Sequence, residues 1–112
     1  MRTTSRPAVL LLCGEDTLRE TLVELLRSGG LPATTDAAGC IPTMVVADAD
    51  AWPAGWNLTR LRSCFGRLPC VILSGSALAG DFLVTRLRRG YFLQLPASPE
   101  QILELAFQLS GD

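Results

Sequence analysis

The chain contains no histidine and no lysine, so all ten of its basic residues are arginine. Without histidine there is no Ser–His or Cys–His nucleophile pair and no imidazole metal site. Without lysine there is no lysine-based phosphate loop, no Schiff base and no site that needs an ammonium group. General acid–base chemistry thus loses two of its commonest players, and no paired carboxylates stand in for them, so an enzyme is not expected. The four cysteines, Cys13, Cys40, Cys64 and Cys70, form no C-x-x-C, which argues against a zinc or redox centre and for reduced thiols in the cytoplasm. No basic stretch leading into an apolar one opens the chain, and the apolar run at 8–13 is far too short to span a bilayer. A net charge of −1 leaves no broad basic face for a nucleic-acid duplex.

What is present describes a core-forming domain. Of 112 residues, 48% are hydrophobic and 19% charged, which fits one domain over 1–112 with a polar, flexible start at 1–7. Residues 8–13 are continuously apolar, the mark of a strand covered on both faces. Gly14 breaks the run, and Asp16 or Thr17 can cap a helix, Thr17 having Glu20 at capping-box spacing. Leu18, Leu22, Leu25 and Leu26 give that helix an apolar face, and Gly29–Gly30 stops it.

Residues 31–35 read as a weak second strand that Pro32 places at an edge. The connector at 36–42 is too short for several helical turns, so the helix between strands 2 and 3 is shortened or missing. Residues 43–47 are a buried third strand ending at Asp48, Ala49 and Asp50. A helix starts near Asn57 with Leu58, Leu61 and Phe65 on one face. Residues 70–73 form a fourth strand closed by Ser74, Gly75 and Ser76. A helix with Phe82, Leu83 and Leu87 runs to Arg88–Arg89–Gly90, Gly80 leaving its start open. Residues 91–93 are a short fifth strand, and Ser98, Pro99 and Gln101 cap a last helix. Alternating helices and two-sided apolar strands predict an α/β, flavodoxin-like, doubly wound parallel sheet of order 2-1-3-4-5.

Ligands of such sheets bind beyond the carboxyl ends of the strands. The sequence puts Cys13, Gly14 and Glu15 there after strand one, Asp48 after strand three, Ser74 after strand four, and Leu95–Pro96 after strand five. Particular stretches are informative in order and spacing: Leu18-Arg19-Glu20, Pro42-x-Met44-Val45-Val46-Ala47-Asp48, Pro69-Cys70-Val71-Ile72-Leu73-Ser74, and the run from Tyr91-Phe92-Leu93-Gln94-Leu95-Pro96 to Glu100. On them the chain, over 9–109, resembles the receiver domains of bacterial two-component response regulators. The resemblance implies that Asp48 matches the aspartate phosphorylated by a histidine kinase, Ser74 the switch hydroxyl, and Phe92, in preference to Tyr91, the switch aromatic.

It also implies an acidic pair that holds magnesium and a lysine before the proline, and here the chain departs from the family. The acidic-pair positions fall on Cys13 and Gly14, with Glu15 adjacent, and the lysine position is Leu95, followed by Pro96. A dianionic phosphoryl group among carboxylates must be neutralised by a divalent cation and an ammonium group, or repulsion wins. The expectation is an atypical receiver without aspartyl phosphorylation and without a cofactor. Magnesium enters only under the alternative in which Asp48 is phosphorylated.

Such a domain is expected to act in signal transduction by protein–protein contact. In the resembled family helix 4, strand 5 and helix 5 form the usual dimer face. Here that face offers Arg86, Arg89, Tyr91, Leu103 and Phe107 for a protein partner or a second copy. On the last helix Ile102, Leu105, Ala106 and Leu109 make a core stripe, and Leu103 with Phe107 a second stripe suited to a partner. The run Arg86, Arg88, Arg89 equally suits the carboxyl end of a helix as a solvated face.

Trp52 and Trp56 read as interface anchors or, preferably, as cover for core bared by the missing helix. Cys13 and Cys70 read as buried fillers rather than redox sensors. Asp48 and Asp50 are a weak cation signal, and Ser74, Gly75 and Ser76 offer amides to an anion. A different class of function is a localisation domain like those at the front of some pilus-assembly and septum-positioning ATPases. Met1 favours an amino-terminal place in a longer regulator over a stand-alone module.

Overall fold

Three strands carry the architecture, because each has apolar side chains pointing both ways. In the computed structural model, which describes residues 6–110, these are β1 (Arg6–Leu12), β3 (Cys40–Asp48) and β4 (Cys70–Ser74). With β2 (Ala33–Thr34) and β5 (Gly90–Gln94) at the margins they form a five-stranded parallel sheet in the order β2-β1-β3-β4-β5, as the sequence predicts. Side chains alternate along the strands. Val9, Leu11, Met44, Val46, Val71 and Leu73 point to one face and pack with Leu22 and Leu26 of α1 (Asp16–Ser28) and Ala106 and Leu109 of α4 (Pro99–Ser110). Leu10, Leu12, Val45, Ala47, Cys70 and Ile72 point to the other and pack with Leu61 of α2 (Leu58–Phe65) and with Leu83, Val84 and Leu87 in and after α3 (Ala77–Val84). Each fully buried Leu or Val of this kind stabilises the fold by about 1.5–3 kcal/mol.

The helix between β2 and β3 is reduced to one 3-10 turn, Ala37–Gly39, whose amino end Asp36 caps by accepting from the Ala38 amide at 3.0 Å. The second face therefore has only two helices over three strands. Trp52, Trp56, Ala37 and Cys40 pack against it in place of a third. Trp56 stacks on Phe65 with ring centroids 5.8 Å apart, and the Arg60 guanidinium lies 4.2 Å from the Trp56 ring. The tryptophans thus cover core, the preferred of the two readings.

Several boundaries differ from expectation. Residues 1–5 of the expected flexible start lie outside the described residues, while Arg6 and Pro7 belong to β1, paired with Cys40 and Ile41. β3 begins at Cys40, not Thr43. Its register against β1 shifts between Ala8 and Val9, so Thr43 is an extra residue directly after Pro42. A proline has no amide to give to a ladder, and a bulge is where a sheet tolerates one.

The cap of α1 is Glu15, which accepts from the Thr17 and Leu18 amides at 3.1 and 2.6 Å, rather than Asp16 or Thr17. The α3 helix stops at Val84 instead of continuing to Arg88–Arg89–Gly90. The backbone of Gly90 lies against Val84, whose carbonyl oxygen a Cβ there would meet at 2.7 Å. Arg86, Arg88 and Arg89 thus follow the helix in a turn. At the start of α4 the expected reciprocal cap is present: Ser98 Oγ accepts from the Gln101 amide at 3.2 Å, and Gln101 Oε1 from the Ser98 amide at 2.9 Å.

Gly80 faces β5 so closely that a Cβ would lie 2.1 Å from a ring carbon of Phe92. Gly80→Ala should therefore destabilise the protein by about 1–3 kcal/mol through overpacking, although alanine is the better helix former. Urea unfolding should show a lower midpoint at unchanged slope, and Phe92→Leu in the same chain should recover most of the loss.

Candidate functional site

The carboxyl ends of β1, β3, β4 and β5 bring together most of the residues singled out in the sequence. Asp48 is the last residue of β3 and only 3% exposed. One of its carboxylate oxygens accepts from the Asp50 amide at 3.0 Å, and the other faces the Cys13 thiol, which donates to it over 3.6 Å. Burial raises the Asp48 carboxyl above its ordinary value, outweighing the hydrogen bonds that favour the anion. Burial likewise raises the Cys13 thiol, and that of Cys70 to about 11. Both thiols are thus protonated fillers at neutral pH.

The loop after β3 crosses the chain just after Cys13. The Gly14 amide donates to the Ala51 carbonyl at 2.7 Å, and a Cβ on Gly14 would lie 2.8 Å from the Trp52 carbonyl oxygen. Gly14 is thus where backbone crosses backbone, and no side chain fits there. Glu15 is engaged as the cap of α1. Arg19, one turn into that helix, donates to the Cys13 carbonyl at 3.3 Å and pairs with Asp16 at 2.6 Å.

Asp50 does what local pattern did not indicate. Its two carboxylate oxygens accept from the Ser74 hydroxyl and the Gly75 amide, each at 2.7 Å. Ser74 Oγ in turn accepts from the Ser76 amide at 3.0 Å. The Gly75 and Ser74 donors lower the Asp50 carboxyl below its ordinary value. Of the amides that the sequence offers to an anion here, that of Gly75 is answered by the Asp50 carboxylate and that of Ser76 by Ser74 Oγ.

Leu95 donates its amide to the Ser74 carbonyl at 2.8 Å, while its side chain turns onto the first core cluster, and its peptide bond to Pro96 is cis. Phe92 faces α3 across Gly80, whereas Tyr91 and Leu93 face the α1–α4 side. Of the interface candidates, Phe107 is 49% exposed and Arg86 exposed. Tyr91 and Leu103 instead pack on their own core. The second stripe of α4 is thereby divided. Leu103 fits against Gly29, which has no side chain to exclude it, so that residue joins α4 to α1 rather than facing a partner.

An octahedral magnesium ion needs carboxylate oxygens. The acidic-pair positions offer a buried thiol at Cys13 and no side chain at Gly14, and both Asp48 oxygens are already engaged. No group of three His, Cys, Asp or Glu residues that could hold a metal ion occurs among the described residues. The residues present do not fit the ion.

No family model and no curated protein sequence matches the chain. Solved structures do. The receiver domain of NtrX from Brucella abortus is similar with a TM-score of 0.74 at 18% identity, over 92% of this chain and 98% of that one. Chemotaxis protein CheY4 of Vibrio cholerae is similar with a TM-score of 0.73 at 15% identity, over 95% and 99%. The receiver domain of a sensor histidine kinase from Pseudomonas aeruginosa, which has magnesium in its active-site cleft, gives 0.74 at 16%, over 97% and 100%. The fold is that of receiver domains. It is the flavodoxin-like doubly wound sheet that the strand order predicts, minus one helix.

Within this receiver fold the two aspartates should respond oppositely to substitution. Asp50, with a lowered value, stabilises the fold above its ordinary value of 3.8 and loses that contribution as pH falls through the depressed one. Asp48, with a raised value, opposes folding once ionised, and that penalty disappears below its ordinary 3.8. Thermal melts at pH 7 should show Asp48→Asn above the parent protein, with the gap closing in acid. Asp50→Asn should be lower at pH 7 by about 1 kcal/mol, because an amide nitrogen then opposes a donor.

Proposed function

We propose that this domain is an atypical receiver that signals by protein–protein contact without phosphorylation of Asp48. The observation that carries the reading is the Asp50 carboxylate on the Ser74 hydroxyl and Gly75 amide, the donors a phosphoryl oxygen on Asp48 would require. A phosphoryl dianion brought there would meet a fixed like charge. The chain has no ammonium group to offset it, since Leu95 stands where the resembled family has lysine. Access also weighs against transfer, because Asp48 is only 3% exposed. Neither magnesium nor any other cofactor belongs to the proposal.

The partner, a second copy or another protein, is assigned to the outward faces of α3 and α4. Leu78 and Phe82, one turn apart on α3, are 85% and 57% exposed, and Phe107 is the exposed aromatic of α4. Phe107 is a separate apolar point on α4, whereas Leu78 and Phe82 share one face of α3, and such exposed large apolar neighbours mark an interaction surface. Arg86 borders them, its guanidinium 3.5 Å from the Phe82 ring. A cytoplasmic setting belongs to the same reading. Among the described residues no helix is long and apolar enough to cross a membrane.

Incubation with acetyl phosphate and magnesium should leave the intact mass unchanged, and beryllofluoride with magnesium should leave the melting temperature unchanged. A phosphoryl adduct mapped to Asp48 would overturn the proposal. Light scattering at rising concentration tests the contact surface: self-association should be abolished by Phe82→Glu, and a protein that stays monomeric throughout leaves only the heterologous partner.

A further inference from the structure

The chain's arginines are not spread evenly. Arg62 and Arg67 at and beyond the end of α2 meet Arg86 and Arg88 from the turn after α3, around one cleft of about 640 Å³ with Cys64 and Phe65 in its wall. The cleft sits where the chain enters β4 and β5, at Cys70 and Gly90. It is therefore at the opposite end of the sheet from Asp48 and Asp50. Four of the ten basic residues of a chain with net charge −1 converge there. Among the described residues no aspartate or glutamate lines it.

Like charges around one concavity repel, and their field strengthens inside it, so the arrangement favours an anion. The guanidiniums of Arg62, Arg67 and Arg88 have no hydrogen-bond or ion-pair partner among the described residues, and the ion pair found there, Arg19 with Asp16, belongs to α1. Arg86 is held in place, donating to the Phe82 carbonyl at 2.9 Å while lying over the Phe82 ring. The negative ends of α2 and α3 also point this way, each equivalent to about half a charge. Their carbonyls are partly answered, Phe65 by the Leu68 amide at 3.0 Å and Phe82 by Arg86. Four whole positive charges outweigh them.

The geometry points to this cleft as a binding site for a small ligand carrying several phosphate groups. A guanidinium presents paired N–H donors in a planar fork that matches phosphate oxygens, which makes arginine clusters selective for phosphate over a single carboxylate. The volume is within the range of small-molecule sites, and Phe65 and Leu87 provide apolar wall beside the charges. The inference is independent of whether Asp48 is phosphorylated.

Calorimetric titration of the intact chain with inorganic tripolyphosphate at low ionic strength tests it. Binding is expected, weakening as salt is raised. Arg62→Ala combined with Arg88→Ala should reduce affinity by more than about tenfold. These exposed side chains make no internal contact whose loss would unfold the protein. Arg60→Gln removes an equal charge outside the cleft and should leave affinity nearly unchanged. Cys64 reports location: tripolyphosphate should slow its alkylation by iodoacetamide, followed by peptide mass mapping. Absence of binding at low salt overturns the proposal, as does an equal loss in Arg60→Gln, an unprotected Cys64, or binding of polyglutamate in preference to tripolyphosphate.

Discussion

A parallel strand flanked by others on both sides is apolar on both of its faces, and each face must be covered. This chain meets that requirement with one helix too few, and much of its character follows. One side of the sheet has α1 and α4. The other has α2 and α3, with a single 3-10 turn where a further helix would lie. Trp52 and Trp56 come down onto the uncovered strands, and the loop that carries them comes with them. That loop sets the Ala51 carbonyl on the Gly14 amide and the Trp52 carbonyl against the Gly14 Cα. The crossing of this loop over Gly14, beside the site, is thus tied through two aromatic side chains to the strands that the shortened β2–β3 connection leaves uncovered.

The two aspartates beyond β3 show how environment separates identical groups two residues apart. Asp48 is dehydrated, and burial outweighs the hydrogen bonds it accepts from Asp50 and Cys13. Asp50 remains at the surface and is supplied with donors by the β4–α3 connection. One carboxylate fills space inside the fold while the other ties two loops together. The tie joins residues 24 and 25 positions apart, which holds the ends of β3 and β4 in a fixed relation.

The fold was legible because the apolar runs at β1, β3 and β4 are short and bounded by turn residues, which favours strands covered on both faces, and because Ser98 and Gln101 have capping-box spacing. The short connection before β3 was legible from length alone. The features that the pattern conceals have physical reasons. Pro42 hid the first residues of β3, since a proline ends a strand pattern unless a bulge accommodates it. Leu87 continued the helical period of α3 yet reaches the core from a turn, held there by the approach of Gly90 to Val84. Leu103 looked like a partner-facing residue because the absence of a side chain at Gly29 leaves no trace in the pattern of α4 itself. Asp50 reads in the sequence only as a weak cation signal because its partners are remote, and no local rule connects an aspartate after one strand to a hydroxyl after the next.

The margins of the sheet differ. β2 contributes two residues, preceded by Pro32, which has no amide to offer. β5 contributes five. A two-residue margin presents too few unpaired backbone groups to recruit another strand. Growth of the sheet from chain to chain is consequently one-sided. If two copies ever pair strand to strand, they do so β5 against β5, and the joint sheet then terminates in a β2 at either end. Backbone pairing through these two margins can close a dimer, and it then leaves no second long edge from which to extend.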